Sequence, residues 1–310
     1  MRPLRSVLIG DVDHYPSEYI FGVNQGMTIL GHWHRTVNVR QPIDVIAKVL
    51  GEVDPDLLWG HMLLWSPAGA AHSRQLLSLC ADWRRRRGTK VVLHDGDARQ
   101  ETRFPYDISA AVDLALCNHT ADRLAWKIPQ LHWPYFAFYQ STMASPHPEW
   151  ACDLFFAGRV GEGIYTARTQ LLSTLQQVLS AKGLTFRCLV TGSGPHTLFR
   201  TPEVAASATA VLGHGRGPEA PGWVDVRVLQ YPGAGGVLLH DDVGGFLEPY
   251  QHYVPYKWGD LESILAGIEY ARAHGAKLRQ EAFRFVQARH SSVIRVQQVL
   301  GWLGLATEAP

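Results

Sequence analysis

Residues suited to phosphate binding are concentrated in the second half of the chain. Glycines and arginines stand beside short apolar runs there, as in RVLQYPGAGGVLLHD (227–241). Glycine lets a ligand approach the backbone closely, and a diphosphate is bound by backbone N–H groups, a helix N-terminus and the forked donors of arginine. The pattern predicts a phosphate site, although a tight helix-to-strand turn would also explain the glycines. The candidates are Gly158, Arg159, Gly192, Gly194, His214, Arg227, Gly233, Gly235 and Gly236.

Acids and histidines stand at the corresponding places in the first half. His94 lies near the end of the run KVVLHDGD (90–97), and Asp13 and His14 follow SVLIGD (6–11). Carboxylate and imidazole groups suit proton transfer to or from an acceptor hydroxyl, so these residues are the candidate catalytic bases. The alternatives are a hydrogen-bonded loop histidine for His94 and a helix-capping acid for Asp13. A phosphate site in one half and a base in the other would suit an enzyme that transfers a group from a nucleotide-activated donor.

Strand and helix patterns alternate twice along the chain, which predicts an α/β fold of two doubly wound Rossmann-like domains. In the first half, strands are predicted at 6–11, 35–40, 56–65, 90–97 and 112–119, and helices at 15–31, 43–53, 73–88 and 120–127. A proline-rich aromatic stretch at 128–150 is predicted to link the domains. In the second half, strands are predicted at 153–159, 185–195 and 236–241, helices at 166–183, 224–235, 260–275, 276–290 and 291–304, and a short helix followed by a strand within 201–215. Ligands of such domains bind at the carboxyl ends of the strands.

Composition narrows the class of protein. The 310 residues are 46% hydrophobic and 18% charged, which suits a folded protein, and the formal net charge of +1 gives no general argument for nucleic acid or an anionic membrane. Four separated cysteines, with no C-x-x-C pair, predict reduced thiols in a cytoplasmic protein. No apolar run approaches the roughly 18 residues of a membrane span. Phosphate-loop and zinc motifs are absent from the sequence.

Several stretches of the second half resemble the nucleotide-binding half of the GT-B glycosyltransferases. FFAGR (155–159) resembles the opening strand and turn of that half, and CLVTGSGP (188–195) resembles the next strand. The strongest resemblance lies in residues 208–242, with a further match over 253–291. It is to the group-1-like branch that includes the CgeB-type spore maturation proteins. The resemblance covers roughly residues 150 to 300, and the first domain matches by architecture alone.

The resemblance implies a metal-independent, hexosyltransferase-like enzyme that moves a sugar from a nucleotide-diphosphate sugar, a UDP-sugar being expected, to an unidentified hydroxyl. It implies an acceptor-side domain at 1–140, a nucleotide-sugar-binding domain at 151–290, and a C-terminal helix at 291–310 that packs back on the first domain. Arg159 and Arg227 would stabilise the leaving diphosphate, and Arg168 fits an arginine common in the family. Gln230 stands where many relatives have a ribose-binding Glu. Gln can accept one hydrogen bond but carries no charge.

Two other functions remain open. A DNA glycosyltransferase of the phage type, acting on hydroxymethylated bases, would use Arg84–Arg87 and the aromatic run HWPYFAFY (132–139). The structural alternatives are a helix C-terminus that favours cations for the arginines and interdomain packing for the aromatic residues. The near-neutral net charge is an argument against DNA binding. A non-catalytic structural or binding protein on a GT-B scaffold is the other possibility, and Gln230 is its best support.

Overall fold

The computed structural model describes residues 2–12, 18–61, 63, 66, 68–95, 108–117, 128–133, 136–158, 160–190, 201–214 and 224–305. Five sequence candidates lie outside these residues: Asp13, His14, Arg159, Gly192 and Gly194. The helix predicted at 120–127 lies outside them as well. The chain forms two compact units. Unit 1 comprises the described parts of Met1–Tyr135 and Ser292–Pro310, and unit 2 those of Phe136–Arg216 and Val224–Ser291.

Unit 1 contains a parallel sheet of six strands in the order β2-β1-β3-β4-β5-β6. The elements are β1 (Arg5–Gly10), α1 (Glu18–Ile29), β2 (Trp33–Asn38), α2 (Ile43–Val53), β3 (Leu57–His61), α3 (Ala70–Arg87), β4 (Lys90–Asp95), β5 (Leu114–Cys117) and β6 (Gln130–His132). Every residue of β3 and β5 is buried, as expected for parallel strands covered on both faces.

Unit 2 contains a parallel sheet of five strands in the order β11-β10-β9-β7-β8. The elements are β7 (Cys152–Gly158), α4 (Thr166–Ala181), β8 (Phe186–Val190), α5 (Thr201–Ser207), β9 (Ala208–Leu212), α6 (Arg227–Gly233), β10 (Leu238–His240), β11 (Val254–Pro255) and α7 (Leu261–His290). The predicted α/β fold class with two parallel sheets is therefore confirmed.

Helix α7 corrects one prediction. The sequence suggested two helices that meet near Gly275, but residues 261–290 form one continuous helix of 30 residues. Buried Ile268, Ala271, Leu278 and Ala282 keep helical spacing across that glycine. Glycine inside a helix costs only about 1 kcal/mol relative to alanine, and the packing of this apolar stripe offsets it.

The last helix, α8 (Ser292–Trp302), belongs to unit 1 and packs against α1. Gly26 allows α1 and α8 to lie close together, because a Cβ at this position would lie 2.6 Å from Val296 Cγ2 and 2.8 Å from the carbonyl oxygen of Ser292. The Ser292 hydroxyl donates a hydrogen bond to Gln25 Oε1 at 2.6 Å.

Both sheets have a point at which the strand order reverses, between β1 and β3 in unit 1 and between β7 and β9 in unit 2. Because all strands are parallel, their carboxyl ends share one edge of each sheet, here called the carboxyl edge, and their starts share the opposite amino edge. Ligands of doubly wound sheets bind at the carboxyl edge beside the reversal point. In unit 2 that place is flanked by Gly158, which ends β7, and Gly213, which follows β9.

Candidate functional site

Arg227 lies across the carboxyl end of β7. It is the first residue of α6, and its Nε donates a hydrogen bond to the carbonyl oxygen of Ala157 at 2.7 Å. Its Nη1 forms an ion pair with Asp225, whose side chain is only 1% exposed. A Cβ on Gly158 would lie 2.6 Å from Arg227 Nη2. Glycine at 158 therefore makes room for the guanidinium at the reversal point.

Arg168 brings a second guanidinium to this place. It lies in the first turn of α4, with Cζ 5.4 Å from the ring centroid of Tyr165 and 5.9 Å from that of Phe156. Arg227 Cζ lies 5.5 Å from the centroid of the same Phe156 ring. Burial, and next the charge of Arg227, lower the pKa of Arg168. Two guanidinium groups therefore lie near one aromatic ring, and forked donors of this kind bind phosphate oxygens.

Gln230 lies one helical turn beyond Arg227 on α6. It is buried, and its side-chain nitrogen makes no hydrogen bond with any residue that the structure describes. Residues three apart share a face of a helix, so this amide is on the same side of α6 as Arg227. A buried donor without an acceptor is costly, and a ligand oxygen would supply one.

His214 occupies the neighbouring part of the carboxyl edge, after β9. Its Nδ1 lies 2.9 Å from Asp241 Oδ2, and its ring stacks on Trp258 with 3.4 Å between centroids. Tyr256 donates its hydroxyl to the carbonyl oxygen of Gly213 at 2.9 Å. This segment is thereby held in one position. Burial raises the pKa of Tyr256, so the phenol stays protonated and keeps donating.

The structure places the glycines of 233–236 at a different edge of the sheet from Arg227, although the sequence predicted Gly233, Gly235 and Gly236 to belong to the same site. They connect α6 to the start of β10, so they lie at the amino edge, opposite the carboxyl edge. A Cβ on Gly233 would lie 2.4 Å from Ala137 Cβ, and one on Gly236 would lie 2.9 Å from Ala205 Cβ. Protein side chains fill the space that a diphosphate was expected to use. The alternative of a tight, packed helix-to-strand turn fits these residues.

His94 is also placed differently from the expected base. Its ring stacks on Tyr19 with 4.1 Å between centroids and lies 5.8 Å from the ring of His61. Both ring nitrogens are buried, and burial, followed by the charge of His61, holds the pKa of His94 well below its ordinary value. The imidazole is therefore neutral, as a base must be, but neither nitrogen is open to an acceptor in this arrangement. A buried, stacked histidine describes it better than an exposed base.

The basic run Arg84–Arg87 ends α3, immediately before β4 begins, and so lies at the amino edge of unit 1. Arg84 pairs with Asp113, Arg85 and Arg86 with Asp82, and Arg87 with Asp54. Gly88 ends the helix in the left-handed conformation, with φ of 71°. These contacts fit the interpretation as a helix C-terminus that favours cations rather than a patch at a ligand-binding edge.

Several residues of the carboxyl edge were not among the sequence candidates. They are Asp225, His240, Asp241, Tyr256 and Trp258, while Arg168 was noted only through the family resemblance. A usable signal existed for Asp225, which precedes Arg227 by two residues, and for His240 and Asp241, which end a predicted strand. Tyr256 and Trp258 follow β11, a strand of two residues that is too short to show a sequence period.

Comparisons with known proteins agree with this fold. Residues 168–301 match the sequence model of a family described as glycosyl transferase-like. This span begins at Arg168 and contains Arg227 and Gln230. No curated protein matches the chain in sequence.

Solved structures of glycosyltransferases share the fold of nearly the whole chain. An α-glucosyltransferase in complex with UDP and a 13-mer DNA aligns at a TM-score of 0.63 and 9% identity, covering 97% of this chain and 100% of that one. The T4 phage BGT in complex with UDP-glucose aligns at 0.55 and 9% identity, covering 96% and 98%. The lipopolysaccharide outer core galactosyltransferase WaaB aligns at 0.50 and 9% identity, covering 95% and 97%. The family match and this GT-B fold support a glycosyltransferase.

Among the residues that the structure describes, no group of three or more His, Cys, Asp or Glu side chains is placed to hold a metal ion. Within the same part of the chain, no helix combines the length and apolar character needed to cross a membrane.

Proposed function

We propose that the protein is a glycosyltransferase that uses a nucleotide-diphosphate sugar, and that unit 2 binds this donor. The observation that carries the proposal is the pair of guanidinium groups, Arg168 and Arg227, around Phe156 at the reversal point of the sheet. Forked guanidinium donors of this kind bind a diphosphate. A UDP-sugar is the proposed donor, because two proteins of the same fold were solved with UDP or UDP-glucose.

The chemistry requires charge stabilisation more than a covalent intermediate. The acceptor oxygen forms a bond to the anomeric carbon and loses its proton, while the bond from that carbon to the β-phosphate oxygen breaks. Negative charge then grows on the departing diphosphate. Arg168 and Arg227 are fixed before the reaction by Phe156 and Ala157, so they stabilise this charge without reorganising. We propose that they do so without a metal ion.

We propose that a base in unit 1 takes the proton from the acceptor hydroxyl. Asp13 or His14 remains the proposed base, since both follow β1 in the sequence. His94 is not proposed for this step, because its nitrogens are buried.

We further propose a hexosyltransferase of the CgeB-type branch, since the stretch 208–242 lies inside the family match. The described cysteines are free thiols, which supports a cytoplasmic enzyme.

DNA is a second candidate acceptor, because a protein of this fold was solved with a 13-mer DNA. The run Arg84–Arg87 lies at the amino edge of unit 1, and its arginines pair with acids. A DNA substrate would therefore be held by other residues. Replacing Arg85, Arg86 and Arg87 by serine is expected to leave any DNA affinity and its salt dependence unchanged.

Nucleotide binding by the intact protein tests the proposed function. We expect UDP to bind by isothermal titration calorimetry, and Arg168→Met to weaken it by about 10-fold or more through loss of a charged contact. The matched control is Arg284→Met, which removes an exposed arginine from α7. Equal binding by wild type and Arg168→Met, or no binding of any nucleoside diphosphate by wild type, would refute the assignment.

A further inference from the structure

Asp241 and His214 form a fixed pair beside the proposed diphosphate site. The pair is mostly enclosed, with side-chain exposures of 12% for His214 and 11% for Asp241. Its 2.9 Å contact joins Nδ1 to a carboxylate oxygen. Because a carboxylate accepts hydrogen bonds, the Nδ1 proton is directed to Asp241. Stacking on Trp258 at an interplanar angle of 16° fixes the plane of the ring.

The second nitrogen of His214 is left for a ligand. Among the described residues, none forms a hydrogen bond with Nε2. When Nδ1 carries the single proton of the ring, Nε2 presents a lone pair and is a hydrogen-bond acceptor. Asp241 acts on a ligand only through the ring, so it is a positioning residue.

His240 connects this pair to the arginine site. It is fully buried, and the charges of Asp225, Asp241, His214 and Arg227 all act on it. Burial is the largest effect and lowers the pKa of His240. Its Nδ1 accepts a hydrogen bond from the backbone N–H of Asp242 at 3.0 Å. His240 therefore stays neutral, and the charges of both His214 and Arg227 act on it.

The other side chains of the site supply mainly donors. Arg168 and Arg227 can only donate, and the buried nitrogen of Gln230 is a donor as well. The carboxylates of Asp225 and Asp241 already accept from Arg227 and His214. Phosphate oxygens need donors, but each hydroxyl of a nucleotide sugar also has a proton to donate, so it needs an acceptor.

We propose that His214 Nε2, held by Asp241, accepts a hydrogen bond from a hydroxyl of the donor, either on its ribose or on the transferred sugar. The inference rests on the proposed function. It assigns to His214 the acceptor role that the uncharged amide of Gln230 fills less well. His214 thus selects donors that carry this hydroxyl.

Pairs of ligands that differ by one hydroxyl test the proposal. The probes are UDP against 2′-deoxy-UDP and 3′-deoxy-UDP, and UDP-glucose against UDP-2-deoxyglucose, each titrated into the full chain. Wild type is expected to prefer the hydroxyl form in at least one pair by about 3- to 10-fold, the effect of one hydrogen bond. A preference among the UDP analogues assigns the hydroxyl to the ribose, and one in the glucose pair assigns it to the sugar.

His214→Phe keeps the stacked ring and removes both nitrogens. We expect it to bind both members of the discriminating pair equally, whereas the same substitution at exposed His274 leaves the preference unchanged. Asp241→Asn retains an oxygen that can accept from Nδ1, so it should preserve the preference, and Asp241→Leu should lose it. These two variants keep the proposal testable if His214→Phe does not fold.

The outcomes separate the two proposals. If wild type shows no preference in any pair, or if His214→Phe or Asp241→Leu keeps the wild-type preference, the role of His214 is refuted. The glycosyltransferase proposal then survives, provided UDP binds wild type and is weakened by Arg168→Met. If no nucleoside diphosphate binds wild type, both proposals fail.

Discussion

Removing Arg227 is expected to affect stability and ligand binding for separable reasons. Arg227→Met would leave Asp225, a carboxylate with 1% exposure, without its cation. Breaking a buried ion pair by deleting one partner costs about 3–5 kcal/mol, whereas replacing both partners by neutral groups is often close to neutral. We therefore expect Arg227→Met to lose several kcal/mol and Asp225→Asn/Arg227→Met to recover most of that loss.

Ligand affinity should not recover with stability. A charge-assisted hydrogen bond to phosphate contributes about 1.5–3 kcal/mol, so both variants should bind UDP about 10- to 150-fold more weakly than wild type. Asp225→Asn alone keeps the guanidinium and should bind UDP at least as tightly as wild type.

Urea denaturation and calorimetric titration with UDP are the assays, with Arg284→Met as the control for loss of one arginine. Binding of UDP by the double variant at wild-type affinity would show that Arg227 does not contact the phosphates. Wild-type stability in Arg227→Met would refute the account of the buried carboxylate.

Further expectations concern the amino edge of unit 2 and the behaviour in acid. Gly233→Ala should lose about 1–3 kcal/mol of stability by overpacking, because its Cβ would lie 2.4 Å from Ala137 Cβ, but it should bind UDP normally. Weakened UDP binding at unchanged stability in urea would instead support a ligand role for Gly233. Gly51→Ala is the control, because a Cβ at Gly51 meets open space. Arg279→Met should lose at least about 2 kcal/mol, since Nη1 donates to three backbone carbonyl oxygens; a urea midpoint equal to wild type would contradict this. Burial lowers the pKa of His34 from 6.5 to about 4. Between these two pH values the unfolded chain binds a proton that the folded protein does not. The free energy of unfolding should therefore fall by up to about 1.4 kcal/mol per pH unit as the pH drops from 6.5 to about 4. Melting temperature against pH tests this, and an unchanged slope in His34→Gln would refute it.

Much of the fold could be predicted from local pattern. The apolar runs that form β1, β3 and β4 are bounded by Gly, Asp or Pro, and the helical periods of the sequence predict α2 and α4 within a few residues of their bounds. Short elements could not be predicted in this way. β6 has three residues and β11 has two, so each becomes a strand only because a neighbouring strand supplies its hydrogen bonds.

The candidate site shows the same division. Local sequence identified Arg227 and His214, because a strand end or a helix start can be recognised from residues nearby in the chain. Arg168 and Arg227 are 59 positions apart, and only the sheet brings both beside Phe156.

The glycine-rich turn separates what the sequence determined from what the tertiary structure decided. The sequence established that residues 233–236 needed space for something close to the backbone. Whether a ligand or the protein fills that space depends on the edge of the sheet at which the turn lies, and parallel pairing of β10 with β9 places it at the amino edge. The types of residue in a turn are fixed by the local sequence, whereas the side chains that pack against the turn are fixed by the topology of the sheet. The protein itself therefore fills this space, and the guanidinium groups of Arg168 and Arg227 lie at the opposite edge.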